Sequence, residues 1–314
     1  FANKVAMLKR NEMLLLYDEF EALNRQTHSH VEKKTLVSEQ HMRRNRFPDV
    51  LTFDHNRVRL LGREEHDDYI NASYIRSFDD TYLEFIAAQG PIGPPEPVTA
   101  IRENTIAHFW EMIWQEQITT LVMLTQTIEH LKLKCAQYWP EEVGTSKEYG
   151  GIRVEWRTTT EYATATMRSF DVTRNGQKRV VTQFHFEDWL DAKGPESTQN
   201  LLDLVLKIRE FNKEFPILVH CSAGIGRTGV FIALWQLISS LESDPEGSVD
   251  VFGRVKKLRE QRIRMVQSAE QYSSLYEAFL LYLRRNFRRY IPELHSISSL
   301  SEDSRYEVQE VSAI

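Results

Sequence analysis

A cysteine, five intervening residues and an arginine, Cys221-Ser222-Ala223-Gly224-Ile225-Gly226-Arg227, form the stretch of this chain best equipped for covalent chemistry. Before it runs PILVH, 216–220, an apolar stretch that suits a fully buried strand. Behind it, 226–241 has helical spacing and few charges, which predicts a mostly buried helix. A loop between the two, carrying Gly224 and Gly226, can turn successive N–H groups inward and make an anion nest. The helix adds its positive N-terminal end. A phosphate dianion fits such a loop, lined by Ser222, Ala223, Gly224, Ile225 and Gly226. A cysteine at its start gives up its proton more readily, so Cys221 is expected to be a thiolate nucleophile. Arg227 presents a planar fork matched to two phosphate oxygens. Thr228 is expected to donate its hydroxyl to the Cys221 sulfur as that sulfur leaves. No Gly-Lys-Ser/Thr follows the glycines, which argues against a nucleotide-binding loop.

The elements around the loop follow from the pattern of the chain. Its 314 residues allow a large single core. A net charge of −6 argues against nucleic acid as the main ligand. Two cysteines, Cys135 and Cys221, are too few for a disulfide framework or a structural zinc site, and suit a reducing compartment. Thiolate chemistry needs no metal, and no cofactor is expected. No run of eighteen apolar residues occurs, so no membrane span is expected. The chain opens at Phe1, as a piece of a longer protein would, and no signal peptide is visible. A receptor attachment outside this piece stays open.

Residues 4–24 carry an amphipathic helical stripe. Residues 25–60 are polar and basic and read as a surface loop or solvated face. A strand is expected over 82–88, a proline-rich connector over 91–98, a helix over 99–115 and a buried strand over 118–124. Between 150 and 188 apolar residues alternate, and Asn175-Gly176 marks a hairpin, so this part reads as antiparallel sheet. Further helices are expected at 198–213, near 249–262 and at 269–286. One α/β domain is the economical reading: an N-terminal helix within 1–24, a catalytic unit over 25–290, and an acidic, Ser-rich tail over 291–314.

The string HCSAGIGRTG, 220–229, resembles the signature of the protein tyrosine phosphatase family. RNRFPDV (44–50), DYINASYI (68–75), AAQGP (87–91), FWEMIW (109–114), KCAQYWP (134–140) and MVQSAEQY (265–272) resemble family motifs in the family's order. The resemblance covers about 18–285. It implies a twisted mixed sheet flanked by helices in a single domain, and hydrolysis of phosphotyrosine in proteins through a phosphocysteine. Asp191, in FEDWLDAKGPES, would protonate the leaving tyrosine oxygen and later deprotonate the attacking water. Asp188 is the rival carboxylate; Asp191 is preferred because it stands two residues after Trp189, as in the family. Gln267 would position the water, with Gln271 assisting. Lys134 resembles a lysine that orients the acid, and Glu129 a carboxylate that braces the arginine. Phe47 would stack on the phosphotyrosine ring, and Asp49 would hold the substrate backbone. His220 belongs to the loop and not to a ligand cluster.

Three departures stand out. The acid loop reads Trp189-Leu190-Asp191 where the family usually has Trp-Pro-Asp, and a proline would stiffen that hinge. Lys193 stands where the family often has glycine. Phe47 replaces a tyrosine and keeps the ring while losing the hydroxyl. These changes keep a second reading open: a weakly active or inactive phosphatase-like domain that binds phosphotyrosine, as in second domains of tandem receptors. A dual-specificity or lipid phosphatase would lack the Phe47-type loop and the QSAEQY segment. The expected partners are phosphotyrosine proteins, and the expected location is cytoplasmic. The final Ser312-Ala313-Ile314 resembles a PDZ-type ligand.

Overall fold

The computed structural model describes residues 14–27, 34–64, 66–96, 102–163, 165–189, 194–195, 197–212 and 214–287. Asp191, Leu190 and Lys193, the tail over 291–314 with its PDZ-like end, and the part before Leu14 of the helix expected over 4–24 lie outside these residues.

The apolar runs settle into one sheet because they are buried on both faces. Among the described residues nine strands pair in the order β1-β2-β3-β11-β4-β10-β9-β8-β7. They are β1 (Arg57–Arg59), β2 (Tyr69–Arg76), β3 (Leu83–Ala88), β4 (Thr120–Met123), β7 (Ser146–Tyr149), β8 (Ile152–Glu161), β9 (Thr166–Arg174), β10 (Gln177–His185) and β11 (Ile217–His220). The middle of the sheet, β3-β11-β4-β10, is parallel. Both flanks are antiparallel. β5 (Ile128–Glu129) and β6 (Lys132–Leu133) make a separate small ribbon.

Period-two alternation sends the central side chains to two different cores. Phe85, Ala87, Val122, Ile217 and Val219 face one core. This core is closed by α1 (Leu14–Thr27), α4 (Thr198–Phe211), α5 (Gly226–Ser243), α6 (Val251–Gln261) and α7 (Ala269–Asn286). Ile86, Ala88, Leu121, Met123 and Leu218 face the other, closed by α3 (Ile106–Gln115) through Phe109, Trp110 and Ile113. A short helix, α2 (Leu36–Gln40), precedes β1. Helix α5 is buried along almost its whole length, as its lack of charge predicts.

The hairpin at Asn175-Gly176 forms where expected. Arg174 pairs with Gln177, and both turn residues have positive φ, +50° and +75°, the type I′ geometry that matches strand twist. Two expectations are corrected. The helix placed over 99–115 begins at Ile106 among the described residues. The basic stretch over 25–60 is not a solvated face, because Arg46 and Arg57 are buried and paired with Glu96 and Asp68. Strand β2 was not foreseen as a strand, since Asn71 and Ser73 break its apolar texture; both serve a buried cation described below. No helix of the described residues is long and apolar enough to cross a membrane.

Candidate active site

The parallel strands β4 and β11 end side by side, with Leu124 N–H donating to the His220 carbonyl at 2.9 Å. At this carboxyl edge the chain leaves β11, makes the loop 221–225 and enters α5. Open α/β sheets place their ligands at such an edge.

The orientation of the loop can be read from its carbonyls. Ser222 O accepts from Gly90 N–H at 2.9 Å, and Ile225 O accepts from Val266 N–H at 3.0 Å. Ala223 O and Gly224 O accept from the Arg262 guanidinium at 3.2 and 2.7 Å. Each peptide is a rigid plane with C=O and N–H opposed. Carbonyls bonded outward therefore turn the following N–H groups inward. One of these, Gly224 N–H, points at the Cys221 sulfur at 3.2 Å. The turn needs glycine at 224: its φ is +71°, and a Cβ there would sit 2.0 Å from the Ala88 carbonyl oxygen.

Arg262 is fully buried, and burial lowers its pKa to about 10, which leaves it charged at neutral pH. Asn71 Oδ1 at 2.7 Å and Ser73 Oγ at 3.1 Å orient it from β2. Asn71 also donates to Asn45 Oδ1 at 2.9 Å and to the Val50 carbonyl at 2.8 Å. One side chain thus ties the segment bearing Phe47 and Asp49 to the loop bearing Cys221. Arg46 reinforces that tie through the Gly90 and Pro91 carbonyls at 3.1 and 2.6 Å. Sequence reasoning missed Arg262, Arg46 and Asn71. A buried cation leaves no periodic trace, and the only available signal was polar residues inside an otherwise apolar strand.

Arg227 stands in the first turn of α5. Its Nη1 and Nη2 donate to the two Glu129 carboxylate oxygens at 2.6 and 2.9 Å. Nη1 also meets the Leu124 and Trp189 carbonyls at 2.9 and 2.8 Å. The side chains are 1% and 0% exposed. At that depth desolvation costs several kcal/mol per ion, so the pair is weak evidence for stability and good evidence for a fixed guanidinium plane. The ribbon β5–β6 carries Glu129 in and leads to Lys134, whose carbonyl accepts from Ser222 Oγ at 2.9 Å.

His220 sits behind Cys221. Its Nδ1 faces the Cys221 carbonyl at 3.1 Å, and its Nε2 faces the Tyr138 hydroxyl at 2.9 Å. A carbonyl only accepts, so the ring proton is on Nδ1 and Tyr138 donates to Nε2. Burial holds this histidine down to about 4, so it is neutral at neutral pH.

The remaining expected residues fall as follows. Gln267 is exposed; Gln271 is buried, and its Oε1 accepts from the Gln267 N–H at 2.9 Å. Both side chains hang over Gly226, where a Cβ would meet Gln271 amide atoms at 2.8 Å and Gln267 Oε1 at 3.2 Å. Phe47 is half-buried against the larger core. Asp49 pairs with Arg264 at 2.5 Å. Trp189 is buried edge-on to Phe186, and its carbonyl ties the start of the acid segment to Arg227. The rival Asp188 is engaged by Asn200 Nδ2 at 2.7 Å. The hydroxyl of Thr228 is buried without a protein hydrogen-bond partner among the described residues, so it makes no bond to the Cys221 sulfur here.

A family model for the protein-tyrosine phosphatase matches residues 41–281. The chain belongs to the protein-tyrosine phosphatase family. It is 38% identical over 252 residues to human receptor-type tyrosine-protein phosphatase alpha, covering 77% of this chain and 30% of that protein. It is 39% identical over 251 residues to tyrosine-protein phosphatase 69D of Drosophila melanogaster, covering 76% and 16%. To chicken receptor-type tyrosine-protein phosphatase S it is 38% identical over 279 residues, covering 87% and 17%. The chain therefore spans under a third of the length of these relatives. The match begins at residue 41, so α1 and α2 of this phosphatase-family domain stand before it.

Proposed function

We propose that this chain hydrolyses phosphotyrosine in proteins through a phosphocysteine on Cys221. The observation that carries the reading is the cradle: a sulfur that accepts from the Gly224 N–H, beside a guanidinium fixed in plane by Glu129. In the first step Cys221 Sγ attacks phosphorus in line. The bond from phosphorus to the tyrosyl oxygen breaks, and the Asp191 carboxyl gives that oxygen its proton. Inward N–H groups and Arg227 hold the equatorial oxygens, where charge is greatest in the transition state. In the second step water attacks phosphorus, the bond to sulfur breaks, and Asp191 takes the proton from the water. Gln267, with Gln271, positions that water. Phe47 receives the phosphotyrosine ring and Asp49 the peptide backbone.

In this proposal the catalytic unit runs over 25–290 and works on the cytosolic side of a membrane. The test is hydrolysis of a phosphotyrosine peptide by the wild type, Asp191→Ala and Cys221→Ser. Loss of the general acid should slow turnover by about 10²- to 10⁴-fold. A wild type no faster than Asp191→Ala would favour a domain that binds phosphotyrosine without turning it over. Equal cleavage of a phosphoserine peptide would point to a broader phosphatase.

A further inference from the structure

The turn that delivers Gln267 is strained, and while one restraint on it comes from the 221–225 loop, the other leads away to Arg259. Val266 has φ +59° and Arg264 φ +53°. A β-branched residue in the left-handed region is a true outlier, and such strain persists only where neighbours over-determine it. Two bonds do so at Val266. Its N–H donates to the Ile225 carbonyl at 3.0 Å, and its carbonyl accepts from Arg259 Nη2 at 2.8 Å. Arg259 Nε also holds the Met265 carbonyl at 2.9 Å. One side chain thus grips two successive carbonyls immediately before Gln267.

Arg259 is itself aimed by α1. Its Nη1 donates to Asn24 Oδ1 at 2.8 Å, and its guanidinium lies over the Phe20 ring at 5.3 Å. The same helix reaches the element carrying Gln271. Glu19 Oε1 accepts from the Tyr272 hydroxyl at 2.7 Å and from the Tyr276 hydroxyl. Phe20 and Tyr272 pack ring to ring at 5.7 Å. Leu16, Phe20 and Leu23 are buried in the larger core, so α1 is seated and not merely adjacent. Helix α1 also lies wholly before residue 41, where the family match starts.

We propose that α1 is a positioning element for the second half of the reaction. Asn24 and Phe20 hold Arg259, and Arg259 holds the strained turn that aims Gln267 at the phosphocysteine. The inference rests on the phosphatase reading given above, and it concerns hydrolysis of the intermediate, not its formation. Asn24 is a positioning residue that acts through Arg259 and touches no reacting atom.

Asn24→Ala removes the acceptor, while Asn24→Asp keeps one. The measurement is rapid-quench kinetics with an aryl phosphate, following aryl release and phosphocysteine, joined to hydrogen exchange at the Val266 and Gln267 amides. In Asn24→Ala aryl release in the first turnover should stay within about two-fold. Decay of phosphocysteine should slow about five-fold, the size one buried hydrogen bond carries. Exchange at the two amides should quicken, and Asn24→Asp should restore both rates. Equal slowing of both steps, or no change in either, overturns the proposal. If the wild type does not turn over at all, the phosphatase reading fails. The exchange data then decide the hold of α1 separately: faster exchange supports it and unchanged exchange overturns it. Should Asn24→Ala not fold, Phe20→Leu removes the ring beneath the guanidinium, keeps apolar burial and is read the same way.

Discussion

Cys221 and Cys135 are both buried, and both lie against Gly90. A Cβ at Gly90 would meet the Cys221 carbonyl oxygen at 2.7 Å and the Cys135 sulfur at 3.0 Å. Yet the two thiols have opposite surroundings. Cys135 donates its own proton to the Ala136 carbonyl at 3.2 Å, and burial pushes it up to about 12. The Cys221 sulfur instead accepts from Gly224 N–H, at the start of a helix. Depth is nearly the same in both places, so what separates the two sulfurs is the direction of the neighbouring peptide groups, which the outward-bonded carbonyls of 222–225 set at Cys221. In the proposed reaction that direction, and not depth, selects the nucleophile.

The largest expected effect breaks the comparison outright. Cys221→Ser should lower turnover of a phosphotyrosine peptide by about 10⁴-fold or more, as loss of a nucleophile does. Cys135→Ser should stay within about three-fold, because a serine there can still donate to the Ala136 carbonyl. A dead Cys135→Ser that folds normally would show that the second thiol takes part in the reaction.

Next in size is Glu129→Gln. It removes the Glu129 charge from a buried guanidinium, and breaking a buried pair of this kind costs about 3–5 kcal/mol. Thermal melting should show the loss, and kcat should fall together with kcat/KM if the plane of Arg227 matters mainly in the transition state. A stable variant with wild-type turnover would mean that the arginine is held in place without the Glu129 charge.

The two histidines near this edge give a pH dependence with a definite sign. Burial holds His220 to about 4 and His185 to about 3, whereas an unfolded histidine titrates near 6.5. As pH falls below about 6.5 the unfolded chain takes up protons before the folded one. Stability is therefore lost as pH falls, by about 1.4 kcal/mol per pH unit for each histidine in that window. Melting temperatures of His220→Gln between pH 6.5 and pH 4 should fall less steeply than those of the wild type. Parallel slopes would indicate that His220 is charged in the folded protein.

The smallest effect belongs to the rim. Arg264 and Asp49 are 46% and 60% exposed, so their ion pair contributes at most about 1 kcal/mol. Arg264→Ala should leave melting unchanged and shift KM for a phosphotyrosine peptide by no more than a few-fold. A shift beyond ten-fold would give this rim a larger part in substrate capture than its exposure allows.

Much of the fold was legible in the chain because it is written in short-range pattern. PILVH and the run at 118–124 read as buried strands, Asn175-Gly176 as a turn, and the charge-poor stretch after Gly226 as a buried helix. The loop itself was legible because two glycines and a helix start are local features. What stayed hidden depends on residues far apart in sequence. Arg262 reaches Asn71 and Ser73 on a strand almost two hundred residues away, and Arg46 reaches the Gly90 and Pro91 carbonyls. Each looks like an ordinary surface cation until its partners are known. Strand β2 was hidden for the same reason, since its polar side chains have meaning only against Arg262. The role expected of Thr228 depends on hydroxyl geometry, which no spacing rule conveys.

The most direct test of the contrast between the two thiols is to find the phosphoryl group. Gln267→Ala is mixed with a phosphotyrosine peptide, quenched in acid within one turnover and digested for mass spectrometry. Phosphate on the peptide containing Cys221, and none on the peptide containing Cys135, is the predicted result. Phosphate on any other residue, or release of phosphate with no covalent protein adduct, would contradict it.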